Sequence, residues 1–208
     1  MVKKVALIGN MNNNHFSLCR YLRDMGVDVD LLLYKGELGH FSPSADTFNL
    51  NYRQYTRQLN WGGKLTFTST TKCQIRDDLA EYDVLIGCGL APAYCAKADL
   101  NLDIFDPYGG DLWGDTFYSV KMNPKRILSA WKATRFQKVG IGQSRVFNMP
   151  MTNSMYESRY NQLKGRSERW YECYPMVYLP EYDPDNLNTW IDQTHWGREF
   201  KRIRDSSE

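Results

Sequence analysis

Two short stretches hold the residue types that could do chemistry. The first, Gly9-Asn10-Met11-Asn12-Asn13-Asn14-His15, sets four Asn side chains and a His directly after the apolar run Val5-Ala6-Leu7-Ile8. Asn tolerates left-handed backbone and offers both donors and acceptors, which suits a polar, hydroxyl-rich ligand. The same residues also make an ordinary Asn-rich turn and helix N-cap without a ligand, and from the turn alone both readings stand. The second stretch, Pro107-Tyr108-Gly109-Gly110-Asp111-Leu112-Trp113, joins two glycines that let backbone approach a ligand to a carboxylate and a phenol. Its alternative is a tight Gly-Gly turn with Asp111 as a helix cap. Between them Cys88-Gly89-Leu90 closes another apolar run, and Gly89 joins the candidate ligand contacts. No His or acid follows Cys88 at a telling distance, so it reads as a small buried residue rather than a nucleophile.

The elements around these stretches fix where they must lie. Val5 to Ile8 has no polar alternation, so both its faces are expected to be covered, as in a central parallel strand. Phe16, Leu18, Cys19, Leu22 and Met25 follow at helical spacing up to Gly26, a C-cap, and Val27 to Leu33 is a second strand. Strand, helix and parallel strand make a right-handed crossover, and ligands on such sheets bind beyond the carboxyl ends of the strands. The turn is not the dinucleotide fingerprint, because Met11 and Asn14 stand where its second and third glycines belong, and no Lys-Ser/Thr pair makes it a P-loop. Further along, Lys35 to Gly63 reads as a long aromatic loop and Lys64 to Ser69 as a short strand. Thr71 to Tyr82 reads as a helix opened by a capping box, and Tyr82 to Gly87 as a buried strand. A short helix starts at Pro92, and Leu102 to Asp106 is a strand. Pro124 to Val139 forms a helix with the apolar stripe Ile127, Leu128, Trp131, Phe136 and Val139 and a basic face. Arg145 to Met149 is a strand, Thr152 to Leu163 a helix, and Pro175 to Pro180 a last strand. Alternation of this kind is the sign of an α/β fold, here a Rossmann-like doubly wound parallel sheet over residues 1–180, with a linker and helix at 181–208.

Composition bounds the function. The chain has 208 residues and a formal net charge of +2 with acids and bases interspersed, so neither nucleic acid nor an anionic membrane is demanded as a partner. No apolar run is long enough to span a bilayer and no signal peptide precedes the first strand, which points to a cytoplasmic protein, although the basic face of the Pro124 helix leaves peripheral lipid contact open. The five cysteines form no CxxC pair and read as reduced thiols; the three His are too scattered for a metal site.

The order of Val5 to Ile8 with its Gly9 turn, Arg20 to Val29, Tyr82 to Ile86, Pro107 to Leu112 and the tail Phe200 to Asp205 resembles the amino-terminal half of a GT-B glycosyltransferase of the family 4 type. That resemblance implies a two-domain enzyme in which this half holds a saccharide or glycolipid acceptor. A second domain or partner chain would hold the nucleotide sugar as substrate, with no other cofactor and no metal. Gly9, Asn10, Asn12, Asn13, Asn14, His15, Gly89, Gly109 and Gly110 would then bind substrate. Asp111 and Tyr108 would be catalytic, Asp111 as general base in an inverting enzyme or as a sugar contact in a retaining one. Tyr108 stands where the family has His, and the family's acidic donor motif is missing, so the chain alone is expected not to turn over. Two other readings are open: a stand-alone Rossmann nucleotide-binding protein, and a scaffold that presents its tail helix.

Overall fold

The computed structural model describes residues 3–115, 124–149, 154–171, 176–193 and 195–206. Seven parallel strands make one sheet in the order β3-β2-β1-β4-β5-β6-β7. They are β1 (Val5–Ile8), β2 (Val29–Leu33), β3 (Thr56–Gln58), β4 (Val84–Gly87), β5 (Ile104–Phe105), β6 (Val146–Asn148) and β7 (Glu168–Trp170). β1 lies between β2 and β4, with Val5 opposite both Val29 and Val84. From that pair the chain winds outward in two directions, so the sheet is α/β, Rossmann-like and doubly wound, with its topological switch between β1 and β4.

The run in β1 is apolar throughout because both its faces are covered. Ala6 and Ile8 face a core shared with Leu32, Tyr94, Phe105 and Phe147. Val5 and Leu7 face the opposite side, with Phe16 and Cys19 of α1 (Asn14–Asp24). The first of these cores is covered by α2 (Lys72–Leu79), α3 (Ala91–Lys97) and α5 (Pro124–Gln143), while α4 (Gly110–Trp113) and α6 (Ser154–Leu163) add Leu112, Tyr160 and Leu163.

Three expectations are corrected. Lys64 to Ser69 is a turn, not a strand: Lys97 of α3 donates to the carbonyls of Phe67 and Thr70, so these groups cap a loop instead of joining a ladder. The described part of Pro175 to Pro180 is not a strand either. Its backbone is satisfied by the Tyr21 hydroxyl, which donates to the Val177 carbonyl and accepts from Leu179 N–H; Pro175 itself lies outside the described residues. The edge strands are instead β3 and β7, three residues each and mostly polar, too short to show an apolar alternation. Third, most of the stripe expected to bury α5 does not: Leu128, Trp131 and Val139 are 53%, 47% and 45% exposed, while Phe136 does pack against the core beside Phe67. The inward face is Ala130, Ala133, Gln137, Gly140 and Ile141, small enough to bring the α5 backbone against α3.

The tail folds back onto α1. Arg20, 7% exposed, is stacked between the rings of Phe16 and Tyr178 at 4.2 and 4.3 Å and pairs with Asp46 at 2.5 Å and Glu181 at 3.1 Å. Beyond it run α7 (Pro184–Gln193) and α8 (His195–Asp205), two helices where the sequence suggested a linker and one.

The α3–α5 contact is testable. Ala for Gly in a helix ordinarily adds roughly 0.5–1 kcal/mol. At Gly140, however, a Cβ would overlap the carbonyl of Pro92. Overpacking wins, and Gly140→Ala is expected to lose about 1–3 kcal/mol in urea unfolding. Gly39→Ala, with nothing within 4 Å of its Cβ, should lose much less.

Candidate functional site

Because all the strands are parallel, the turns after β1, β4 and β5 open on one edge, so the Asn-rich and Gly-Gly turns do meet there. The turns after β1 and β4 pack on the side chain after β2, while the Gly-Gly turn joins them through His15 against Tyr108 and Asp111 against Gly89. The Tyr34 ring lies against Gly9, Gly62 and Gly89, and a Cβ on Gly9 would come within 2.6 Å of it. Its hydroxyl donates to the Cys88 carbonyl at 2.6 Å. Gly9, Gly62 and Gly89 also take positive φ, at 82°, 139° and 57°.

The Asn turn is satisfied from within. Asn12 and Asn13 adopt left-handed backbone, φ 55° and 58°. The Asn10 side chain donates to Asn13 Oδ1 and the Phe41 carbonyl and accepts the Phe16 N–H. Backbone donors are engaged too: Asn10 N–H goes to Glu37, Asn13 N–H to Asn10 and Asn14 N–H to Met11. Asn13 Nδ2 holds the His40 carbonyl, and Asn14 is buried. Only the Asn12 side chain of this group is exposed. His15 is fully buried: its Nδ1 lies 2.8 Å from the Gly9 carbonyl and its Nε2 3.4 Å from Asp106 Oδ2. Asp106 in turn accepts from the Tyr108 hydroxyl and Asn148 Nδ2, both at 3.0 Å.

Asp111 is also fully buried and serves as a clamp. Its Oδ1 accepts the N–H groups of Tyr108 at 3.0 Å and Gly109 at 2.9 Å, and its Oδ2 that of Gly89 at 3.1 Å. Burial pushes its carboxyl up to about 7, with the N–H groups of Gly89 and Tyr108 pulling the other way. Gln137 of α5 completes the clamp, donating to the Gly89 carbonyl at 2.8 Å. Gly110 has open space around it. Cys88 is buried, and burial raises its thiol well above the usual value, so it is not a ready thiolate.

A cavity of about 220 Å³ opens beside this edge, walled by Met11, Glu37, Phe41, Gly62, Gly89 and Leu90 among others. Of the candidate ligand contacts named from the sequence, Gly89 alone lines it. Glu37 was missed. It sits four residues past the end of β2, and its carboxylate oxygens accept the N–H groups of Asn10 at 2.7 Å and Tyr34 at 2.9 Å. Burial raises its carboxyl, while those two donors oppose the shift. The available signal was an acid just after the second strand of the crossover unit, without the glycine fingerprint that usually announces it. A larger cavity of about 550 Å³ lies away from this edge, between Phe48 to Leu50 and the tail residues Tyr178 to Thr189. Among the described residues no group of three or more His, Cys, Asp or Glu is placed to hold a metal ion.

No protein-family model and no curated protein matches the chain. Among solved structures it is similar to a short-chain dehydrogenase/reductase (wide type) from Veillonella parvula DSM 2008 in complex with NADP. That match has a TM-score of 0.35 and 12% identity over 71% of this chain and 69% of the other. The glycosyltransferase resemblance, its enzyme class and the expectation that no cofactor is involved are corrected: no family model or curated protein supports them, and the solved structure found is a dehydrogenase/reductase in complex with NADP. At that TM-score the match carries no argument about what this chain binds, and the fold stands on its own sheet. The turn does not offer the glycine-rich phosphate cradle of a dinucleotide site, because its Asn10, Asn13 and Asn14 N–H groups are bonded to Glu37 and within the turn. The Glu37 carboxylate would also repel a 2′-phosphate.

The raised Asp111 carboxyl sets the sign of a pH test. Its folded value near 7 lies above the ordinary 3.8, so its contribution to stability is full below that ordinary value and is lost as pH rises through about 7. Against Asp111→Asn, wild-type stability in urea should fall by up to roughly 1.4 kcal/mol per pH unit across that window. Parallel pH profiles of the two proteins would contradict this.

Proposed function

We propose that the chain is a Rossmann-like binding protein for a nucleoside-bearing small molecule, with the ribose hydroxyls held by Glu37. The observation that carries this reading is the position of that carboxylate. It stands past the end of β2, next to the switch point of the sheet, on the wall of a cavity of about 220 Å³. Each of its oxygens already accepts one backbone N–H and keeps lone-pair capacity, so a vicinal diol could donate one hydroxyl to each. Met11, Leu38, Phe41 and Leu90 offer apolar surface for a base, and Gly62 and Gly89 leave backbone bare against the space. Phosphates, if the ligand has them, point away from the first helix turn, where the Asn13 and Asn14 N–H groups are already bonded. Lys35, also on the cavity wall, is the nearer cation.

Calorimetric titration of the purified chain with ribonucleosides and their monophosphates tests this. A hydrogen bond to a charged group is worth about 1.5–3 kcal/mol, so Glu37→Ala, and removal of the ligand's 2′-hydroxyl, should each weaken binding by roughly tenfold or more. Binding should also weaken as pH falls and the raised Glu37 carboxyl takes its proton. Equal affinity for ribose and 2′-deoxyribose ligands, or no heat with any nucleoside, would end the reading.

A further inference from the structure

Helix α5 presents a large face to solvent. Its sequence, PKRILSAWKATRFQKVGIGQ, contains Lys and Arg but no Asp or Glu. At 100° per residue, Leu128, Trp131, Lys132, Arg135, Lys138 and Val139 fall on one stripe, opposite Ala130, Ala133, Gln137 and Ile141, which are buried. All six residues of that stripe are exposed. The Arg135 guanidinium lies over the Trp131 ring at 5.9 Å. A shallow hollow of about 330 Å³ lies between Trp131, Phe136 and Val139, with Lys132 and Arg135 at its margin.

We propose that this face of α5 docks the protein on an anionic phospholipid surface. The chemistry selects that occupant. A row of cations without a carboxylate on the same helix seeks negative charge, which disfavours a second copy of the same face. Leu128 and Val139 have no use against phosphates or nucleobases, whereas aliphatic side chains beside Trp, flanked by Lys and Arg, fit the boundary between headgroups and acyl chains. The inward face is committed to α3 and the sheet, so the helix can lie along a surface without unfolding anything. The hollow at Trp131 would admit the first carbons of a lipid chain.

Co-sedimentation of the full chain with vesicles tests this. One set is phosphatidylcholine alone, and the other is phosphatidylcholine mixed with phosphatidylglycerol. Binding is expected on the mixed vesicles, at least roughly tenfold weaker on the neutral ones, and falling with added salt. Lys132→Gln with Arg135→Gln should weaken it, and Leu128→Ser with Trp131→Ser should abolish it; both variants should keep the wild-type circular dichroism and nucleoside binding. No binding to the mixed vesicles at low salt, equal binding to both kinds, or variants that bind like wild type would overturn the proposal. The charge pair keeps it falsifiable should the apolar pair misfold.

Discussion

The carboxyl edge of this sheet depends on a steric fit between one aromatic ring and the absence of three Cβ atoms. Tyr34 extends from β2 into space that exists only because residues 9, 62 and 89 are glycine. Its hydroxyl reaches the Cys88 carbonyl, so the ring ties the ends of β1, β2 and β4 and the chain after β3 into one surface. The left-handed φ values at those glycines would strain any other residue, and the ring would exclude one even if the backbone allowed it. Glycines that look like openings for a ligand are here filled by the protein itself.

The same economy governs the polar groups. A buried donor or acceptor without a partner costs about 1–3 kcal/mol, so a crowded edge satisfies its own groups first. Asn10 alone makes four such contacts, one through its backbone and three through its side chain. Asp111 gathers the N–H groups of two turns, and Gln137 reaches across from α5 to the carbonyl of the same Gly89. These residues build the edge rather than face outward from it. What stays open is the cavity to one side, where Glu37 is anchored from behind and free in front.

The close approach of α5 to α3 has two consequences. Small residues at Ala130, Ala133 and Gly140 bring the helix near enough for Gln137 to reach both Gly89 and the Ala93 N–H. They also leave the bulky Leu128, Trp131 and Val139 nowhere to go but outward. The interface that stiffens the site and the apolar face on the outside are therefore two sides of one packing decision.

The sequence by itself determined the crossover unit at the start of the chain, the parallel sheet and the meeting of the two polar turns on one edge. Those features rest on local signals: an uninterrupted apolar run at Val5 to Ile8, helical spacing from Phe16 to Met25, and a capping Gly26. Tertiary structure decided what local signals do not encode. β3 and β7 are strands because a neighbour offers them a ladder, although their residues are mostly polar and mostly exposed. Val177 to Leu179 is not a strand because Tyr21 takes its backbone groups. The face of α5 that is buried was chosen by how closely two helices can approach, against the hydrophobic stripe. Glu37 became the acid of the cavity because folding carried it to the N–H groups of Asn10 and Tyr34, the first of which is distant in sequence, and its charge is tolerated only where both are in reach.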